Sequence, residues 1–176
     1  LYMDKAVFEV NFAKTKKPVF SATGIDQVEF YIQTNPGEAM GPLARIASGG
    51  ELSRVMLALK TIFAQGEGVT SIIFDEVDTG VSGRVAQAIA DKIRLIAEGS
   101  QVLCITHLPQ VAAVAQHHLL IQKRVHDQRT TTSVTPLNTN QRVEELARML
   151  AGDTITKLAR EHASELLTMA KQKAQD

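Results

Sequence analysis

In Ser71-Ile72-Ile73-Phe74-Asp75-Glu76, apolar β-rich residues end abruptly on two adjacent acids, and that ending decides the fold. A short run this apolar predicts a strand covered on both faces of a sheet. From about Ser82 a helical pattern puts Val85, Ile89, Ile93 and Ile96 on one side and stops at Gly99. Gln101 to Ile105 then repeats the buried-strand pattern and ends on Thr106-His107. Strand, helix and strand of these lengths predict a right-handed βαβ unit with parallel strands. Asp75, Glu76 and His107 then share one sheet edge.

Upstream lies Ala47-Ser48-Gly49-Gly50-Glu51-Leu52-Ser53-Arg54, a serine and two glycines running into an amphipathic segment. Ser48 suits an N-cap, the glycines leave backbone N–H groups uncovered, and the positive end of the helix dipole points the same way, so the run reads as an anion-binding helix start. It equally fits an ordinary cap. Leu52, Val55, Met56, Leu59, Ile62 and Phe63 follow helical spacing, which predicts one buried face and an end near Gly66.

Further out, Ala6 to Phe12 and Gln27 to Ile32 alternate apolar with polar residues, as antiparallel strands do. The turn Lys14-Thr15-Lys16-Lys17-Pro18 lies between them and reads as a solvated tip. Asn35-Pro36-Gly37 and Gly41-Pro42 mark loop. After His107, a short helix from Leu108 to about Gln116 leads to a hairpin of Leu119 to Lys123 and Thr130 to Val134. Val143, Leu146, Ala147 and Leu150 define a helix ended by Gly152, and Asp153 is the expected cap of a last one carrying Ile155, Leu158, Ala159, Ala163, Leu166 and Leu167.

The 176 residues suffice for one domain, and a hydrophobic fraction of 44% argues for a packed chain rather than a disordered one. Nineteen basic residues balance nineteen acidic ones, so no global positive field draws the chain onto nucleic acid, and any DNA contact must be local. Cys104 is the one cysteine, which excludes an intrachain disulfide; set in Val102-Leu103-Cys104-Ile105 it reads as buried packing in a reducing compartment. No apolar run reaches the roughly 18 residues of a membrane span. A cytoplasmic chain is expected, and its start at Leu1 suggests a piece of a longer protein.

Acids just past a buried parallel strand sit where open α/β sheets bind ligands. One of the pair Asp75-Glu76 can hold a metal ion while the other faces an attacking water. The pair also fits a plain helix-leading loop, as do Asp78 and Thr79 to Gly83. His107 is either a phosphate sensor or a satisfied structural residue. His117, His118 and His126 do not form a metal site with Cys104 by their spacing. His162 falls on the apolar stripe of the last helix, where a partly buried, hydrogen-bonded ring is expected.

Taken in order, these motifs resemble the C-terminal half of an ABC-type ATPase head. Ser48-Gly49-Gly50-Glu51 matches the signature motif, Ile72 to Glu76 the Walker B strand, Val77 to Gly83 the D-loop and His107 the switch histidine. Ser-Gly-Gly-Glu-Leu-Ser-Arg, Phe-Asp-Glu-Val-Asp-Thr-Gly-Val-Ser-Gly and Thr-His-Leu-Pro-Gln-Val-Ala are more specifically similar to the RecN family of bacterial SMC-like proteins of DNA double-strand-break repair. Thr34 to Glu38 and Glu145 to Gly152 extend the resemblance over nearly the whole chain. No Gly-x-x-x-x-Gly-Lys-Ser/Thr sequence occurs, so the phosphate loop is missing.

The resemblance implies an α/β fold: the C-terminal lobe of a P-loop NTPase head, with parallel core strands, flanking helices and antiparallel strands, completed by an N-terminal lobe and a coiled coil. It implies ATP held between two heads, with Ser48, Gly49, Gly50 and Glu51 meeting the nucleotide in trans. Asp75 would organise Mg²⁺, Glu76 would act as base, His107 would contact the γ-phosphate side and Asp78 would lie at the dimer seam. Hydrolysis would couple head closure to double-stranded DNA or DNA ends, away from any membrane and at the bacterial nucleoid. A nucleotide-gated dimerisation or DNA-clamping module with little turnover is the alternative, against which the second acid argues. An unrelated α/β binding domain would need four coincident motifs. An exposed sheet edge or an apolar face left open by the missing lobe is expected, with modest solubility or self-association.

Overall fold

The computed structural model describes residues 5–13, 20–22, 24–34, 36–45, 49–63, 71–126 and 129–173. The lysine turn at 14–18, Ser48, Gly66 and the tip of the second hairpin lie outside them, as does the side chain of Glu51.

β1 (Val7–Ala13) and β2 (Gln27–Gln33) pair antiparallel, and a two-residue strand, β3 (Gly41–Pro42), adds to β2 where loop was expected. The register sets Phe8 opposite Ile32, Val10 opposite Phe30 and Phe12 opposite Val28, so the alternation gathers the apolar side chains onto one face. The Phe8 and Phe30 rings stack at 5.6 Å. Of these six residues only Ile32 is buried, which makes this an open apolar face.

α1 (Gly49–Phe63) precedes β4 (Ser71–Phe74), α2 (Gly83–Ala97) and β5 (Gln101–Cys104). β4 and β5 are parallel, with Ile72 opposite Val102 and Phe74 opposite Cys104, as the βαβ reading requires. Leu57 of α1, Phe74, Val77, Ile89, Ala90, Ile93, Ile96 and Val111 form the core beneath this sheet. Removing the valine, leucine, isoleucine and phenylalanine side chains among them from water stabilises the fold by about 1.5–3 kcal/mol each.

Two expectations fail here for one physical reason. The strands were expected to be covered on both faces, yet Ile73 is 69% exposed and Leu103 and Ile105 are open beside it, because the described helices pack on the opposite face. In α1, Leu52, Met56, Ile62 and Phe63 are likewise exposed, while Val55 and Leu57 are buried. An apolar stripe at helical spacing shows that a face can be buried; packing decides which face is.

α3 (Pro109–Val114) opens with proline at its first turn, where a missing N–H costs nothing. Its C-terminal end is closed by Arg142, whose guanidinium donates to the carbonyls of Ala113, Ala115 and Gln116 at 3.3, 2.7 and 3.3 Å. Ala112 and Ala113 turn the other way, into a second core with Leu146, Ala147, Ala159, Ala163 and Leu167. β6 (Leu119–His126) and β7 (Arg129–Pro136) form a longer hairpin than the pattern indicated.

α4 (Thr139–Ala151) starts on a reciprocal capping box, Asn138 with Gln141, and ends at Gly152, whose φ of 73° favours glycine. α5 (Lys157–Gln172) is capped by Thr156, not by Asp153: Thr156 Oγ1 accepts from the Ala159 N–H at 3.1 Å. Ile155 packs against the second core, which holds the chain extended until Thr156 and leaves Asp153 in the preceding turn. His162 points to solvent rather than inward, and Leu158 is 74% exposed. Among the described residues no helix is long and apolar enough to cross a membrane.

His118, entering β6, gives the fold a pH dependence. Burial first, then the Arg142 cation, holds its imidazole below the ordinary value of about 6.5, with Glu145 partly opposing. A depressed folded value means that the unfolded chain takes the proton first. Stability is therefore complete above about 6.5 and declines as pH falls toward the folded value. The melting temperature is expected to drop over that window, and His118→Gln to flatten the slope.

Candidate nucleotide site

The parallel register brings the ends of β4 and β5 together. The Ile105 N–H donates to the Phe74 carbonyl at 2.9 Å, so Asp75-Glu76 and Thr106-His107 leave the sheet side by side. The carboxylates of Asp75 and Glu76 are exposed, and among the described residues neither makes a side-chain hydrogen bond or ion pair. Glu76 has a φ of 56°, a left-handed conformation that costs a non-glycine residue about 1–2 kcal/mol and recurs at functional turns. The turn it starts closes with the Thr79 N–H on the Glu76 carbonyl at 3.2 Å. This bend swings Val77 into the core at 0% exposure and leaves Glu76 outside.

Asp78, expected at a dimer seam, is 1% exposed. Its Oδ2 accepts from the Thr106 hydroxyl and from the His107 N–H at 3.1 Å, and His107 Nδ1 lies 3.4 Å away. A buried carboxylate persists only when paired and hydrogen-bonded, and these donors meet that need within the chain. His107 keeps its side chain 68% exposed. The Cys104 thiol is pushed up to about 12, by burial first and then by the negative charges of Asp78 and Asp75, so it stays an uncharged packing group, half-buried against the core where full burial was expected.

The start of α1 rests on the same loop. Arg54 Nη1 donates to the Thr79 carbonyl at 3.0 Å, and Ser53 Oγ reaches the Asp75 carbonyl at 3.5 Å. A Cβ built on Gly50 would sit 2.9 Å from the Thr79 carbonyl oxygen. Gly50 is therefore required by close backbone approach, apart from any ligand. Gly50→Ala is expected to destabilise the protein by about 1–3 kcal/mol, since backbone rather than a flexible side-chain tip must move. Denaturant titration measures it; a loss below about 0.5 kcal/mol would show that the contact yields.

Thus Gly50, Asp75, Glu76 and His107 converge on one loop system. The sequence singles out neither Arg54 nor Thr106 for the site, though Thr106 beside a strand-end histidine is an available signal, and it marks Thr79 only as part of the Val77–Gly83 loop. The group forms an open surface rather than a pocket. A hollow of about 700 Å³ lies elsewhere, at the α4–α5 corner beside Leu150, Leu158, Glu161, His162 and Glu165. Among the described residues no cluster of three or more metal-ligating side chains occurs. Asp75 and Glu76 both offer an exposed carboxylate at the strand end, and one such oxygen donor is what a Mg²⁺ ion that takes one or two protein oxygens and keeps waters would need.

The mixed α/β architecture defines the class: the fold of an SMC-type ATPase head. A solved chain described for ATP-driven dimerization and DNA-stimulated activation of SMC ATPases matches at a TM-score of 0.50, covering 84% of both chains at 18% identity. Within that class, the chain is homologous over nearly its whole length to a C-terminal part of DNA repair protein RecN. It is 63% identical over 173 residues to RecN of Halalkalibacterium halodurans, covering 97% of this chain and 30% of that protein. RecN of Bacillus subtilis is 55% identical over 185 residues (98% and 32%) and that of Vibrio cholerae 44% over 170 (97% and 30%). The chain thus spans about 30% of the length of these relatives. No protein-family model matches it.

Proposed function

We propose that this chain is the C-terminal lobe of a RecN-like ATPase head acting in DNA double-strand-break repair, and that ATP is bound and hydrolysed where two heads meet. The observation that carries this reading is the juxtaposition of exposed, unpaired Asp75 and Glu76 with exposed His107, on a loop against which the start of α1 is packed.

On this reading Asp75 holds the Mg²⁺ of the nucleotide, which when bound neutralises charge on the phosphate oxygens. Glu76 orients and deprotonates the attacking water, its exposed carboxylate being free to accept. His107 meets the γ-phosphate side with its outward ring edge. Ser48, Gly49, Gly50 and Glu51 meet the nucleotide of a partner head, the dipole at the start of α1 favouring phosphate. Asp78 serves from inside, through His107 and Thr106. Head closure would draw DNA and the remainder of the protein into the cycle. The open faces around Phe30 and Ile73 suit an N-terminal lobe that carries the phosphate loop.

The experiment is ATP turnover by this chain alone, by an N-terminal lobe bearing the phosphate loop alone, and by the two mixed. Turnover is expected only in the mixture. Appreciable hydrolysis by this chain alone would contradict the half-site reading, and ATP binding without turnover in the mixture would favour the nucleotide-gated clamp.

A further inference from the structure

The geometry points to Asp78 and Thr106 as positioning residues that hold His107 in one tautomer, with hydrogen on Nδ1 and the Nε2 lone pair facing outward. This deepens the reading of His107 as a nucleotide-facing group and rests on it.

The hydrogen bonds run in one direction. The Leu108 N–H donates to Thr106 Oγ1 at 3.0 Å, and Thr106 commits its single hydroxyl hydrogen to Asp78 Oδ2. The same oxygen takes the His107 N–H at 3.1 Å, which pins the backbone of the histidine as well as its neighbour. His107 Nδ1 then faces Oδ2 at 3.4 Å, an ion-pair distance. Beside a carboxylate oxygen at this distance an Nδ1 that bears hydrogen is attracted whereas an Nδ1 lone pair is repelled, which favours hydrogen on Nδ1. In the neutral ring Nε2 is then the acceptor, and it belongs to the largely exposed side chain. Neither Asp78 nor Thr106 need touch the nucleotide for this, since both act through His107.

The chain of contacts extends to the first element of the site. Asp78 lies in the loop whose Thr79 carbonyl is gripped by Arg54 and closed upon by Gly50. Any shift of the α1 start therefore presses on the residue next to the one that orients His107.

The test is a two-bond proton–nitrogen correlation spectrum of the full chain, with ¹⁵N-labelled histidine rings, at alkaline pH and without nucleotide; His107→Gln assigns the signal. The Nδ1–H pattern is expected in the unaltered protein, partial conversion toward Nε2–H in Thr106→Val, and restoration in Thr106→Ser. An Nε2–H pattern in the unaltered protein, a measurement that requires no variant to fold, would overturn the inference. So would an unchanged spectrum in Thr106→Val. Turnover in the ATP-competent full-length protein is read separately. The expected tautomer together with undiminished turnover in His107→Gln would support the positioning and sink the nucleotide-facing role of His107.

Discussion

In the full-length protein, Glu76→Gln is expected to lower ATP turnover by roughly 10²–10⁴-fold, the range for a positioned general base, while ATP still binds and closed heads accumulate. Glutamine keeps the size and the hydrogen-bonding reach of the side chain but cannot take up a proton from water. Glu76 contributes no side-chain hydrogen bond to the fold among the described residues, and its left-handed backbone is set by the turn through Thr79, so the loss should fall on hydrolysis and not on folding. Single-turnover kinetics beside equilibrium ATP binding separates the two. Turnover at the unaltered rate would remove Glu76 from the proposed chemistry, whereas loss of binding together with turnover would make it a structural residue.

Asp78→Ala is expected to act in the opposite manner, through stability first. The Thr106 hydroxyl and the His107 amide would each lose the acceptor they share, at about 1–3 kcal/mol for a buried donor left unpaired. Allowing for partial access to water, a loss on the order of 3 kcal/mol is expected, read as a lower denaturation midpoint with an unchanged slope. Asp78→Asn keeps an acceptor oxygen and should lose less. A shift below about 0.5 kcal/mol for the alanine variant would show that the donors find other partners. A group at an open seam would behave differently, because solvent would replace whatever it lost.

Much of the fold follows from local pattern. The apolar run ending on Asp75-Glu76, the helix from Gly83 and the second run ending on Thr106-His107 could hardly form anything but a parallel βαβ unit, because strand length, helix length and handedness leave few alternatives. The alternation around Phe8, Val10 and Phe30 likewise set which side chains share a face. What periodicity cannot say is whether that face meets a partner. Ile73, Met56 and Phe63 show this, since each obeys its pattern and each is exposed. Caps were legible only where chemistry and register agreed: Gly152 ended α4 as its left-handed backbone allows, but Asp153 lost the start of α5 to Thr156 once Ile155 was drawn into the core.

The amino-acid sequence by itself determined the inventory of the candidate site: two acids and a histidine at adjacent strand ends, a glycine-rich helix start before them, and no phosphate-loop motif in the same sequence. Motif order and strand chirality are local or topological properties, and a sequence carries both. Only the tertiary structure decided what each residue faces. It placed Glu76 outward through a left-handed bend, turned Asp78 inward onto Thr106 and His107, and gave Gly50 a backbone neighbour that must shift to admit a side chain. The physical reason is that burial and hydrogen-bond satisfaction are settled between segments far apart in sequence, 28 residues in the case of Asp78 and Thr106, and no pattern within either segment records the other.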